Sequence, residues 1–185
     1  MSEMELLDFC RIKKIFEKGF GFFTSLYYED NVFFHFSKIR DRSAKEKLEQ
    51  LQRGEIYVYY TSMLKDGRRK VSRIWLDIKE VDKKLLPKFK YRIIEELNSG
   101  RTNLFELAHV VKQLRVNKLM NEGEFNKVLR SEKVVKIPSS VSAMLADSEL
   151  ELFEGGEEFF KSYNSIDPIH EEWAAYIFDK LKIAR

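Results

Sequence analysis

The sequence predicts an α+β protein, with five β-strands first and a mainly α-helical region after them. Three observations carry this. Up to about Ile78 the apolar residues come in short aromatic and β-branched runs, the texture of strands. After Pro87 they recur at helical spacing. The stretch Asp82–Pro87 breaks both patterns and sets a boundary, with residues 1–84 as one domain and 85–185 as a second. A chain of 185 residues has room for two small domains.

The predicted strands are Asp8–Phe16, Phe20–Leu26, Val32–Phe36, Glu55–Ser62 and Val71–Ile78. Lys65-Asp66-Gly67-Arg68 joins the last two, because Asp-Gly tolerates the positive φ of a tight hairpin. A short helix is expected over 41–53. Ser43 and Glu46 have capping-box spacing, Leu48 and Leu51 share a face, and Gly54 closes the end. Past the boundary, Lys88–Leu97 is the first helix, stopped near Gly100. Asn103 and Glu106 cap the next, over Asn103–Asn121, whose Leu104, Leu107, Val111 and Leu114 form one stripe. Glu124–Arg130 is a short third. Asp167 and Pro168 start a last helix with Ile169, Trp173, Tyr176, Ile177 and Leu181 on its buried side. Residues 131–166 read as short helices and loops.

Composition bounds the function. The chain carries 33 basic and 30 acidic side chains, net +3, which excludes a polycationic tail protein. The balance is uneven: residues 1–84 hold +4, 85–136 hold +5 and 137–185 hold −6. Cys10 is the single cysteine, so no intramolecular disulfide forms, and a reducing compartment is favoured. The longest uncharged stretches have 10 residues, whereas a membrane span needs roughly 18. Met1–Cys10 lacks a signal-peptide core. A cytoplasmic protein that does not enter membranes is therefore expected. Zinc-ligand spacing, a P-loop, a nucleophile elbow and a fixed carboxylate pair are all missing from the sequence. His109 and His170 stand alone. No cofactor, no metal and no enzymatic activity are expected.

The aromatics point elsewhere. Nine of them fall in the 22 residues from Ile15 to Phe36. Strand alternation sends Phe20 and Phe22 to one face and Phe23 to the other. It likewise pairs Phe33 with His35 and turns Phe34 away. If the two strands are neighbours, Phe20, Phe22, Phe33 and His35 form one flat aromatic patch beside Lys18. The core is then expected to take Ile12, Phe23, Phe34, Val58 and Trp75, with Cys10 buried. An exposed patch of this kind needs a cover. Unpaired nucleobases supply one, since each has two flat faces that stack on aromatic side chains. Lys13, Lys14, Lys18, Lys38, Arg68 and Arg69 surround the patch and suit phosphates. Duplex DNA suits it poorly, because its bases are already stacked.

At these residues the chain resembles a known family. Lys18-Gly19-Phe20-Gly21-Phe22-Phe23 and Val32-Phe33-Phe34-His35-Phe36-Ser37 look like the two ribonucleoprotein motifs of the cold-shock domain family, in the same order and at the same interval. Leu51–Tyr59 and Val71–Leu76 are similar to that family's fourth and fifth strands. The resemblance spans about residues 9–78 and implies a five-stranded antiparallel OB-fold β-barrel that binds single-stranded RNA or DNA. By position it implies stacking roles for Phe20, Phe22, Phe33, His35 and Phe36 and backbone contacts for Lys13 and Lys18. The family's first-strand Trp is replaced by Lys14 or Ile15, and Phe16 stands nearby as an aromatic. The expected function is a non-catalytic binder of single strands, RNA ahead of DNA by analogy, acting as an RNA chaperone or expression regulator. The alternative is an interaction scaffold whose aromatic face docks a protein partner or its own helices. The helical region, which resembles no family, offers a homodimer or protein-partner face.

Overall fold

The computed structural model describes residues 4–12, 20–35, 37, 56–136 and 145. The helices expected over 41–53 and from Asp167 lie outside these residues. The protein is α+β: a five-stranded curled sheet, a half-barrel, followed by three helices. The strands are β1 (Asp8–Ile12), β2 (Phe20–Phe23), β3 (Val32–His35), β4 (Ile56–Lys65) and β5 (Arg68–Trp75). Their order across the sheet is β1-β4-β5-β3-β2. The β1–β4, β4–β5 and β2–β3 ladders are antiparallel, while β3 meets β5 in parallel through Phe33 and Lys70. The sheet is thus mixed, whereas the family resemblance implies antiparallel pairing throughout. The departure comes from connectivity, since β3 and β5 are not joined by a hairpin.

Alternation builds the core. Cys10, Ile12, Phe23, Val32, Phe34, Val58, Tyr60 and Val71 point into the curl and form one buried cluster. Phe23 lies flat on Phe34, with ring centroids 4.6 Å apart, and Tyr60 closes on Phe23 at 5.2 Å. Each such buried ring stabilises the fold by about 1.5–3 kcal/mol. The β4–β5 hairpin turns on Asp66 and Gly67, whose φ values of 55° and 75° are both left-handed, as a two-residue type I′ turn requires.

Trp75 does not join this core. Thr61 pairs with Arg73 and Ser62 with Val71, so β5 holds one extra residue, Ser72, at a bulge. The extra residue reverses the inside-outside phase of the rest of the strand. Ile74 and Leu76 therefore pack against the core, and Trp75 stays half-buried on the outer side beneath the Arg73 guanidinium, 4.9 Å from its ring centroid.

The chain divides into two compact units, Met1–Ile93 and Ile94–Arg185. The helices are α1 (Leu86–Ser99), α2 (Leu104–Val116) and α3 (Glu122–Leu129), with one further turn at Glu132–Val135. In the first unit, α1 begins after two 3-10 turns capped by Asp77 and Asp82. In the second, Asn103 caps α2 by accepting from the Phe105 and Glu106 amides. Asn121 and Glu124 form a reciprocal capping box on α3. Leu107, Val111 and Leu114 are fully buried along α2. That helix ends at Val116, short of the expected Asn121. Lys118 takes a left-handed φ of 58°, and the Leu119 amide bonds the Leu114 carbonyl at 2.8 Å. This is a Schellman stop with lysine where glycine is usual. The end of α1 is tied to the last turn by the Glu132 amide on Asn98 Oδ1, 2.9 Å, and by Lys133 Nζ on the Gly100 carbonyl.

Candidate nucleic-acid interface

The β2–β3 ladder sets the expected aromatic residues side by side. Phe20 stands opposite His35, and Phe22 opposite Phe33. All four point away from the core, because Phe23 and Phe34 point into it. Phe20 and Phe22 are 40% and 50% exposed, high for rings on a sheet face. His35 is exposed and Phe33 half-buried. Phe33 is the hub, with ring centroids 5.9 Å from Phe20 and 5.8 Å from Phe22. The rings are tilted by 30° and 69°, so they offer successive flat faces rather than one stacked block. His35 Nδ1 accepts from the Ser37 amide at 3.0 Å. An amide only donates, so in the neutral ring the proton sits on Nε2.

Two cations flank these rings. Arg68 holds its guanidinium 5.6 Å from the Phe33 centroid. Lys70 is the register partner of Phe33 on β5 and shares its outward side. Lys70 is not among the cations expected from the sequence, although alternation along Arg68-Arg69-Lys70-Val71, with Val71 inside, identifies it. Arg69 faces the other way, 3.8 Å from the Tyr28 ring centroid and 3.4 Å from the Ser62 hydroxyl. The structure thus gathers Phe20, Phe22, Phe33, His35 and Arg68, and sets Arg69 apart. Lys13, Phe16, Lys18, Phe36 and Lys38 lie outside the described residues.

The same outer surface is treated differently at β1 and β4. There Phe9 and Tyr59, register partners, both receive Phe89 of α1 edge-on, at centroid distances of 6.5 and 6.3 Å. Phe9, Tyr59 and Phe89 are all buried. Arg92, one turn further along, donates to the Leu26 carbonyl through Nε at 3.1 Å and Nη2 at 2.7 Å, and stacks on Tyr27. The helix therefore covers the β1–β4 part of the outer surface and leaves Phe20 and Phe22 open.

No family model matches this chain, and no curated protein or solved structure matches it either. Among the described residues, no helix is long and apolar enough to cross a membrane. Nor, among them, do three or more His, Cys, Asp or Glu side chains gather to hold a metal ion.

One positioning residue gives no sequence signal beyond its place in an apolar strand. Asp8 is 2% exposed. Its carboxylate accepts from the Leu26 amide at 2.8 Å, from the Phe9 amide at 2.9 Å and from the Ser25 hydroxyl. Ser25 Oγ in turn accepts from the Tyr27 and Tyr28 amides at 3.0 and 3.1 Å. The buried carboxylate thereby shapes the turn that leads from β2 to β3. Burial pushes Asp8 up from 3.8 to about 6, against the hydrogen bonds that favour its charged form. A raised folded value means that the folded state holds this proton more tightly. The stability it contributes is full below 3.8 and is lost as pH rises through about 6. The gap is worth about 3 kcal/mol. Asp8→Asn keeps an acceptor for both amides, removes the titrating group, and sets an NH2 donor where the carboxylate accepted from the Ser25 hydroxyl. In urea unfolding from about pH 3.5 to 7.5, the difference in stability between wild type and Asp8→Asn should change by about that amount, favouring wild type at the acid end. A difference that stays flat across this range would remove Asp8 as its source.

Proposed function

We propose that this protein binds single-stranded nucleic acid, RNA ahead of DNA, by stacking unpaired bases on Phe20, Phe22, Phe33 and His35. The observation that carries the reading is selective cover. Helix α1 buries the outer surface at Phe9 and Tyr59, whereas Phe20 and Phe22 remain 40% and 50% exposed on the same sheet. A fold that spends a helix on one aromatic pair and leaves the next open keeps the second for a ligand. The half-barrel and its strand order are compatible with an OB-fold, in which the face of strands two and three and the loops after strands one and four bind oligonucleotides. In this reading the domain is of cold-shock type. The preference for RNA and a role in keeping transcripts unpaired come from that resemblance. The chain acts as a binder, with phosphates met by Lys13, Lys18, Arg68 and Lys70.

The test is direct titration of the full chain with single-stranded and duplex oligonucleotides over a range of salt. Single strands should bind and duplexes of the same sequence should bind far more weakly. About three to five phosphate contacts give a log–log salt slope of about −2 to −3.5 for single strands. A slope near zero would leave the cations without a role. Failure of every strand to bind would return the aromatic face to a protein partner.

A further inference from the structure

A second groove opens at the end of the half-barrel, between the turn that comes after β2 and the β4–β5 hairpin. Its volume is about 590 Å³, ample for one nucleobase. Tyr28, Glu29 and Asp30 line it from the turn, and Leu64, Arg68 and Arg69 line it from the hairpin. The Arg69 guanidinium lies 3.8 Å from the Tyr28 ring centroid. Arg68 belongs to both places, since it lines the groove and also lies 5.6 Å from the Phe33 ring centroid on the aromatic face.

We infer that this groove holds one further unstacked base of the same strand, and that it favours a base with an exocyclic amine over uracil. The inference rests on the proposed single-strand binding and extends it past Arg68. Three physical points lead to it. A guanidinium laid on an aromatic ring is itself a flat platform for a base. Two arginines and two carboxylates share the lining, so the groove has no excess of positive charge to draw in a phosphate. Carboxylates only accept hydrogen bonds, and cytosine presents an N4 amine where uracil presents an oxygen. The backbone of the turn is set from inside by Ser25 and the buried Asp8, so the acidic wall stands on a fixed support.

The experiment uses the full chain and seven-nucleotide uridine strands with a single cytidine walked through every position. One position should bind about three- to tenfold more tightly than the all-uridine strand. Asp30→Ala should abolish that gain. Arg69→Lys keeps the charge but loses the plane, and should abolish it too while leaving the salt slope unchanged. Phe33→Ala should weaken all strands alike and preserve the gain. Equal affinity at every position, with the all-uridine strand still bound, would overturn the inference and leave the proposed function standing. A gain that survives both Asp30→Ala and Arg69→Lys would place the reader elsewhere and overturn it as well. Saturable binding of free cytidine monophosphate as tight as the strand's would make the groove a nucleotide pocket instead. If no strand binds at all, both readings fall.

Discussion

Phe34→Ala is expected to cost about 3–5 kcal/mol of stability, and Phe22→Ala close to nothing. The two residues lie on adjacent strands, and alternation separates their roles. Phe34 is fully buried and lies flat on Phe23 at 4.6 Å, so its truncation leaves a cavity that the sheet cannot fill. Phe22 is 50% exposed and touches Phe33 from outside. Binding should show the reverse order. Phe22→Ala should weaken a single strand by about 1–3 kcal/mol, the usual value of one stacked base. Phe34→Ala, measured where it remains folded, should bind nearly as wild type. Phe22→Ala combined with Phe33→Ala should fall short of the sum, because the two rings contact each other. Urea unfolding and fluorescence anisotropy on the same preparations separate the two effects. A Phe22→Ala protein that unfolds while Phe34→Ala stays stable but loses affinity would mean that the faces are inverted.

Much of this arrangement is legible in the sequence because period-two alternation is a local rule. Phe20-Gly21-Phe22-Phe23 and Val32-Phe33-Phe34-His35 declare their faces without reference to the rest of the chain. Asp66-Gly67 and the Asn103 cap are equally local, whereas Asn121, read as the end of one helix, caps the start of the next. The illegible parts depend on one irregularity or on a distant partner. An unbroken strand from Val71 would put Trp75 in the core. A single bulged residue at Ser72 reverses that, and nothing in Val71–Leu76 marks it. The end of α2 falls early because Lys118 adopts the conformation that glycine usually takes. Asp8 gives no signal because its partners, Ser25 and Leu26, are 17 and 18 residues away. Lys70 is different: alternation alone already puts it beside Arg68, on the side away from Val71.

The reach of helix α1 yields the second large effect. A chain that stops at residue 84 is expected to be poorly soluble and partly unfolded, whereas one that stops at residue 99 should keep a folded sheet. The boundary read from texture falls where helical spacing begins, and texture reports local period, not packing. Phe89 is fully buried and meets both Phe9 and Tyr59. Arg92 holds the Leu26 carbonyl with two hydrogen bonds. Without them, two large aromatic side chains on β1 and β4 lose their cover, and the turn after β2 keeps Asp8 and Ser25 but loses its hold on the Leu26 carbonyl. Loss of one such buried ring costs about 3–5 kcal/mol, a large part of the roughly 5–15 kcal/mol that a domain has to lose. Phe89→Ala in the full chain isolates the packing from the truncation and should destabilise the sheet by about that amount. Thermal melts monitored by near-ultraviolet circular dichroism report the aromatic core directly. If the chain ending at 84 melts as the one ending at 99 does, then Phe89 rests on a sheet that stands without it, and α1 belongs functionally with the later helices. If instead only the longer fragment melts cooperatively and binds single strands, the helix is a structural part of the binding domain. The second outcome is expected, because Phe9 and Tyr59 are buried on the outer face of β1 and β4 and Phe89 meets both of them edge-on.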